Sequence, residues 1–354
     1  MKTFRKTLSL LLTLIMCLST VSIAAGASEI KYDGAWTYMV ENGNATIYFC
    51  DNTVTGDVTI PSTLGGYKVT TIAEKAFNNR DSFRNVTIPD SVTTIGNEAF
   101  KSSALTSIKF GKGLKTIGDN AFAFCTELAT LNIPDNVTTI GEYAFYNCTN
   151  LTKVTIGNGI TTIPNYAFNT CTRLSDLTIS NKVKTIGNSA FSNCYSLTSI
   201  AMPDSLTTID ASAFRSCNEL IAITFGENLK SIGYGAFTGC AALTDVYFKG
   251  KTAEWNSVVI GYSNSELTNA DIHILGDPII PVNPSNPNNP GTPSNPDTPD
   301  NPGTPDGDNS PVACDCKCHS KGLKKFLFKI LLFFQKIFRK NQSCACGALH
   351  YIIL

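Results

Sequence analysis

The apolar positions in the middle of the chain follow neither a helical period nor a long alternating strand; they follow a unit of 23 residues. An Ala-Phe pair places its ring at Phe77, Phe100, Phe122, Phe145, Phe168, Phe191, Phe214 and Phe237, at intervals of 23, 22 and then 23 throughout. Cys125, Cys148, Cys171, Cys194, Cys217 and Cys240 keep the same step. Within one unit, Leu128, Leu131 and Ile133 predict a short extended stretch whose apolar members face one core. Leu151, Val154 and Ile156 repeat it, then Leu174, Leu177 and Ile179. Pro134, or Gly157 one unit later, ends the strand, because neither sustains an interior ladder position. Val137-Thr138-Thr139-Ile140 predicts a second β stretch, and Gly141 a corner through its backbone freedom. Ala144-Phe145 returns to the core, with Phe145 stacked on Phe122 and Phe168. A period of this length with fixed apolar offsets means a solenoid of parallel strands about 4.8 Å apart. No unit buries its apolar side alone.

The core of the unit, Val-Thr-Thr-Ile-Gly-x-x-Ala-Phe, resembles the BspA-like (type 5) class of leucine-rich repeats over roughly residues 57–248. That class occurs in secreted and surface proteins of bacteria and some protists. Departures are small: Pro164 and Asp210 replace the corner glycine, and Lys101-Ser102-Ser103 lacks the cysteine. Residues 28–56 are similar to the β-rich N-terminal cap of such arrays, and residues 249–276, with Trp255 and His273, to the closing cap. The resemblance implies a β-rich solenoid, an array of 23-residue leucine-rich units capped at both ends, and adhesion to host matrix proteins or other cells, roles that vary among members.

Strand positions pointing away from the core form the candidate ligand face: Thr130 and Asn132, Lys153 and Thr155, Asp176 and Thr178, with equivalents in the other units. The face is small, polar and threonine-rich. It suits a protein or glycan partner at a host or cell surface; the alternative is a passive spacer or stalk on the cell envelope with no ligand. Three histidines in 354 residues leave little for acid–base chemistry, and no Ser/His/Asp or Cys/His set can be assembled on the face. No enzyme is expected, and no cofactor for the repeats. His273 reads as structural, and Lys153 with Asp176 as a surface ion pair. Cysteines in register point the same way, which favours packing as small buried hydrophobes over disulfides or metal. Cys50 has no obvious partner. So many free thiols in an exported chain suggest an anaerobic source.

Charge divides the chain. The 28 basic and 28 acidic residues cancel, and the whole is not a polyanion binder, so nucleic acid is not expected. Residues 28–276 carry 17 basic and 22 acidic groups, residues 277–313 five Asp and no cation, and residues 314–354 eight cations against Asp315. The N-terminus, with Lys2, Arg5 and Lys6 before an apolar run and Ala25-Gly26-Ala27 at its end, reads as a signal peptide of residues 1–27. Prolines at every third position from Pro278 to Pro305 predict a disordered, extended linker over residues 277–313.

Residues 314–354 read as a small helical module. Cys314, Cys316, Cys318 and His319, with Cys344, Cys346 and His350, are candidate Zn²⁺ ligands, with disulfides as the alternative. Between them a basic amphipathic stretch offers Lys324, Lys325, Phe326, Lys329, Phe334, Lys336, Phe338 and Arg339 to a membrane or wall polymer. The chain is thus expected to be secreted and retained at the bacterial surface.

Overall fold

Each unit makes one turn of a β-solenoid with three sides. The computed structural model describes residues 29–277. The signal peptide of residues 1–27, the proline run from residue 278 and the module 314–354, with its proposed Zn²⁺ and envelope-contact residues, lie outside the described residues. The fold is a coil of about ten turns. On the first side, strand Thr130–Ile133 pairs in parallel with Lys153–Ile156, and that strand with Asp176–Thr178, each partner one unit away. On the second side Thr94–Ile95, Thr116–Ile117 and Thr139–Ile140 pair likewise. The third side has no formal strand, yet it is bonded as regularly. The amides of Tyr143, Phe145 and Asn147 donate to the carbonyls of Asn165, Ala167 and Asn169 at 3.1, 2.9 and 2.8 Å.

Two columns run through the interior among the buried Leu, Ile, Val and Ala side chains. Ring centroids from Phe100 through Phe237 lie 5.1–5.4 Å apart with planes within 9° of parallel. All these rings are fully buried, so each contributes both its apolar area and a face on either neighbour. Beside them runs the cysteine column. Each thiol donates to the carbonyl of the phenylalanine one coil back, as Cys148 Sγ does to Phe122 O at 3.3 Å and Cys171 Sγ to Phe145 O at 3.4 Å. In the coil that lacks a cysteine, Ser103 Oγ makes the same bond to Phe77 O at 2.8 Å. From Ser103 to Cys240 the slot therefore asks for a small side chain with one donor.

The corner glycine corrects one expectation. Gly141 does not adopt a left-handed backbone; it is needed because a Cβ there would stand 2.4 Å from Asp119 N of the preceding coil. Close approach of stacked turns, rather than backbone freedom, selects glycine.

The two ends are closed differently. At the N-terminus, β1 (Ile30–Asp33), β2 (Trp36–Glu41) and β3 (Asn44–Cys50) form an antiparallel meander, and β3 pairs in parallel with Tyr67–Ile72 to enter the second side. Trp36 meets Phe77 edge-on at 6.1 Å and covers the ring column. Arg80, in the cysteine slot of its coil and 7% exposed, donates to Cys50 O and Asn52 Oδ1 and lies 4.6 Å from the Phe49 ring. At the C-terminus come α1 (Thr252–Ser257) and α2 (Ser265–Thr268). Trp255 packs 5.3 Å from Phe248, so both tryptophans of the chain sit at the ends. The last coil's amides, Gly235, Phe237 and Gly239, find Tyr262 O at 2.9 Å, Asn264 Oδ1 at 3.0 Å and Glu266 Oε1 at 2.7 Å. Two side chains replace the carbonyls of a missing coil. Asp277, counted with the linker by composition, accepts from Thr252 N and Oγ1 at the start of α1.

Candidate functional site

Parallel pairing places all six candidate residues on one face in two rows. Thr130, Lys153 and Asp176 lie side by side, as do Asn132, Thr155 and Thr178, while Leu131, Val154 and Leu177 point inward from the same strands. Thr130, Asn132, Asp176 and Thr178 are exposed, Lys153 and Thr155 half-buried. Lys153 Nζ pairs with Asp176 Oδ2 at the surface, where such a pair contributes about 0–1 kcal/mol. The face keeps one internally satisfied ion pair and otherwise offers hydroxyls and an amide.

The second row opens into a shallow depression of about 570 Å³ where the strands end. Its floor is Ile133, Ile156 and Ile179; Asp135, Asn158, Ser180 and Asn181 stand on its far side. Asp135 Oδ1 accepts from Asn158 N at 2.7 Å and Nδ2 at 3.1 Å, which holds this edge in shape. Gly157 is fixed by close approach, since a Cβ would lie 2.6 Å from Ile133 O. The Ser180 hydroxyl is buried and has no hydrogen-bond partner. Reading the strands alone missed these loop residues. The available signal was Ser180 itself, a hydroxyl in the slot that holds Pro134 and Gly157 elsewhere.

Burial pushes the thiols of Cys125 and Cys171 up to about 12 and that of Cys50 to about 11, so they are neutral and inward-facing at physiological pH and cannot serve as thiolate nucleophiles. His273 stands at the far end of the same side, 2.9 Å from Asp245 Oδ1 and stacked at 4.6 Å on Tyr247. Among the described residues no three His, Cys, Asp or Glu side chains cluster as metal ligands, and no helix is long and apolar enough to cross a membrane.

Comparison with curated proteins finds no match. Among solved structures, the chain is similar to a leucine-rich repeat protein of Bacteroides ovatus (21% identity, covering 72% of this chain and 79% of that one, TM-score 0.36). It is also similar to a leucine-rich repeat protein of T. pallidum (23%, 68% and 86%, TM-score 0.35). A leucine rich cell surface protein of Faecalibacterium prausnitzii matches at 21%, with 67% and 99% covered and a TM-score of 0.29. The family model of the BspA type leucine rich repeat region matches in six copies over residues 47–175 and 138–267. These spans cover the coils whose phenylalanine and cysteine columns form the core and reach across more than half of the sequence: the chain belongs to the BspA type leucine rich repeat family.

Proposed function

We propose that this is a surface-displayed adhesion or binding protein whose first side holds a protein or glycan partner. Proteins of the family are generally bacterial surface or secreted proteins, and adhesion is frequent among them. The observation that carries the reading is the row Asn132–Thr155–Thr178 leading into the depression beside the unpaired Ser180 hydroxyl. Hydroxyls and amides on a rigid sheet are pre-ordered, so little conformational entropy is lost when a partner hydrogen-bonds to them.

The test is binding of the full chain to a panel of host matrix proteins and glycans, beside the triple variant Lys153→Ala, Thr155→Ala, Thr178→Ala. The expected result is a ligand bound by the parent chain and lost by a variant with an unchanged thermal melt. Equal binding by both, or no ligand for either, overturns the reading in favour of a passive spacer. Display at the surface is assigned to residues 314–354, with the cysteines and histidines there as Zn²⁺ ligands and the basic apolar stretch as envelope contact. Fractionation of cells carrying the full chain or one ending at Pro311 tests that part, and equal release of both into the medium would defeat it.

A further inference from the structure

A second surface lies on the third side, away from the strand face. Four aromatic residues make a continuous run of ring contacts over three coils. Phe124 meets Tyr146 edge-on at 5.2 Å, Tyr146 meets Tyr143 edge-on at 5.7 Å, and Tyr143 stacks on Tyr166 at 4.5 Å with 4° between the planes. None of them belongs to the buried core, and Phe124 is 39% exposed.

Three of these residues violate a local preference. Phe124, Tyr143 and Tyr166 have φ of 61°, 57° and 57°, the left-handed region that disfavours bulky side chains. Other coils fill the same two positions mainly with Asn or Ser, as at Asn120, Ser189, Asn147 and Asn193. The core does not need rings there. Strain of this kind, kept on a surface outside the buried core, points to recognition.

The charge around the rings is one-sided. From residue 116 to residue 152 the chain has Asp119, Glu127, Asp135 and Glu142 and no Lys or Arg. Glu142 is next to Tyr143; its Oε1 accepts from Asn165 Nδ2 at 2.8 Å, and Asp119 Oδ1 accepts from Glu142 N at 2.8 Å. Partial burial, Tyr166 and the Glu142 charge all raise the Tyr143 phenol, so that ring stays uncharged at physiological pH. In earlier coils the acids of this side already have cations: Lys75 contacts Glu74 and Glu98, and Lys101 contacts Glu98. On this side, the tyrosine patch combines rings with Asp119 and Glu142, neither of which has a Lys or Arg ion pair among the described residues.

We propose that the patch Phe124–Tyr143–Tyr146–Tyr166 binds an arginine- or lysine-bearing segment of a partner protein, with Glu142 as counter-charge. Cations are drawn to aromatic rings, and more strongly where water is displaced; tyrosines supply rigid contact area at low entropic cost. This inference is independent of the strand-face reading.

The experiment titrates the full chain with a synthetic Gly-Arg repeat peptide and with its Gly-citrulline counterpart, which keeps the shape and loses the charge. The expected result is binding of the arginine peptide at least tenfold tighter than the citrulline one. The double variant Tyr143→Asn, Tyr166→Asn should lose that binding, Glu142→Gln should weaken it, and Tyr143→Phe, Tyr166→Phe should retain it. Asparagine suits a positive φ, so loss of binding with an unchanged melt cannot be assigned to unfolding. Equal binding of the arginine peptide by the Asn variant overturns the proposal, leaving only the general field of the protein. So does equal binding of the citrulline peptide, or a patch that binds cellohexaose and not the arginine peptide. The strand-face triple variant should bind the arginine peptide as the parent does.

Discussion

The middle of this solenoid and its ends solve the same problem with different chemistry. In the middle, each coil's amides meet the carbonyls of the next, as Phe145 N meets Ala167 O at 2.9 Å, and each ring has a ring on both sides. At the ends there is no next coil. The N-terminus ends the columns with Trp36 and Arg80 under an antiparallel meander, whereas the C-terminus imitates a coil with Asn264 and Glu266. A repeated interface can be written once and copied, but each end must be written for its own orphan groups. Without caps those groups would be buried and unpaired, or an apolar column would face water.

The sharpest way to break this comparison is to remove a ring from the middle. Phe168→Ala opens a void between Phe145 and Phe191, each 5.3 Å away, and should cost about 3–5 kcal/mol. A urea titration that leaves the midpoint unchanged would show that the column is not the core. A smaller effect is expected at the closing end. Asn264→Ala strands the buried amide of Phe237 and removes the donor to Gly233 O and Gly261 O, at a cost of about 1–3 kcal/mol. Hydrogen exchange should then speed up at Phe237 and not at Phe145; a uniform rise along the array would mean that the ends and the middle are one cooperative unit. The smallest change sharpens the equivalence of the slots. Ser103→Ala leaves Phe77 O without its hydroxyl donor and should lose about 1 kcal/mol, while Ser103→Cys should keep parent stability in the same melt. A cysteine variant no better than the alanine one would show that the slot selects on size alone.

Most of the middle was legible in the primary structure because one step of 23 residues repeats every decision. Strand positions, inward faces, the ring column and the Lys153–Asp176 pair all follow from the period and an alternating strand. Two things did not follow. The reason for Gly141 was close approach to Asp119, a distance between coils that no local pattern states. The aromatic run from Phe124 to Tyr166 was hidden because Phe124 and Tyr146 stand at other positions of the unit than Tyr143 and Tyr166 and join them only through the turn geometry.

The six strand-face residues illustrate the division. That they share a side is a consequence of their numbers, Thr130 with Lys153 and Asp176, Asn132 with Thr155 and Thr178. That their second row opens into a depression, and that Ser180 stands in it with a free hydroxyl, depends on how three successive strands end against three different turns. The sequence by itself determined the repeat, the stacking, the inward residues and the family, because in-register stacking converts spacing along the chain directly into neighbourhood in space. Only the tertiary structure decided the contacts by which the caps meet the coils, the glycine contacts and the joining of Phe124 and Tyr146 to the tyrosine pair. Each of these is set by distances between coils or by groups left over where the repeat stops, and such contacts have no period to read.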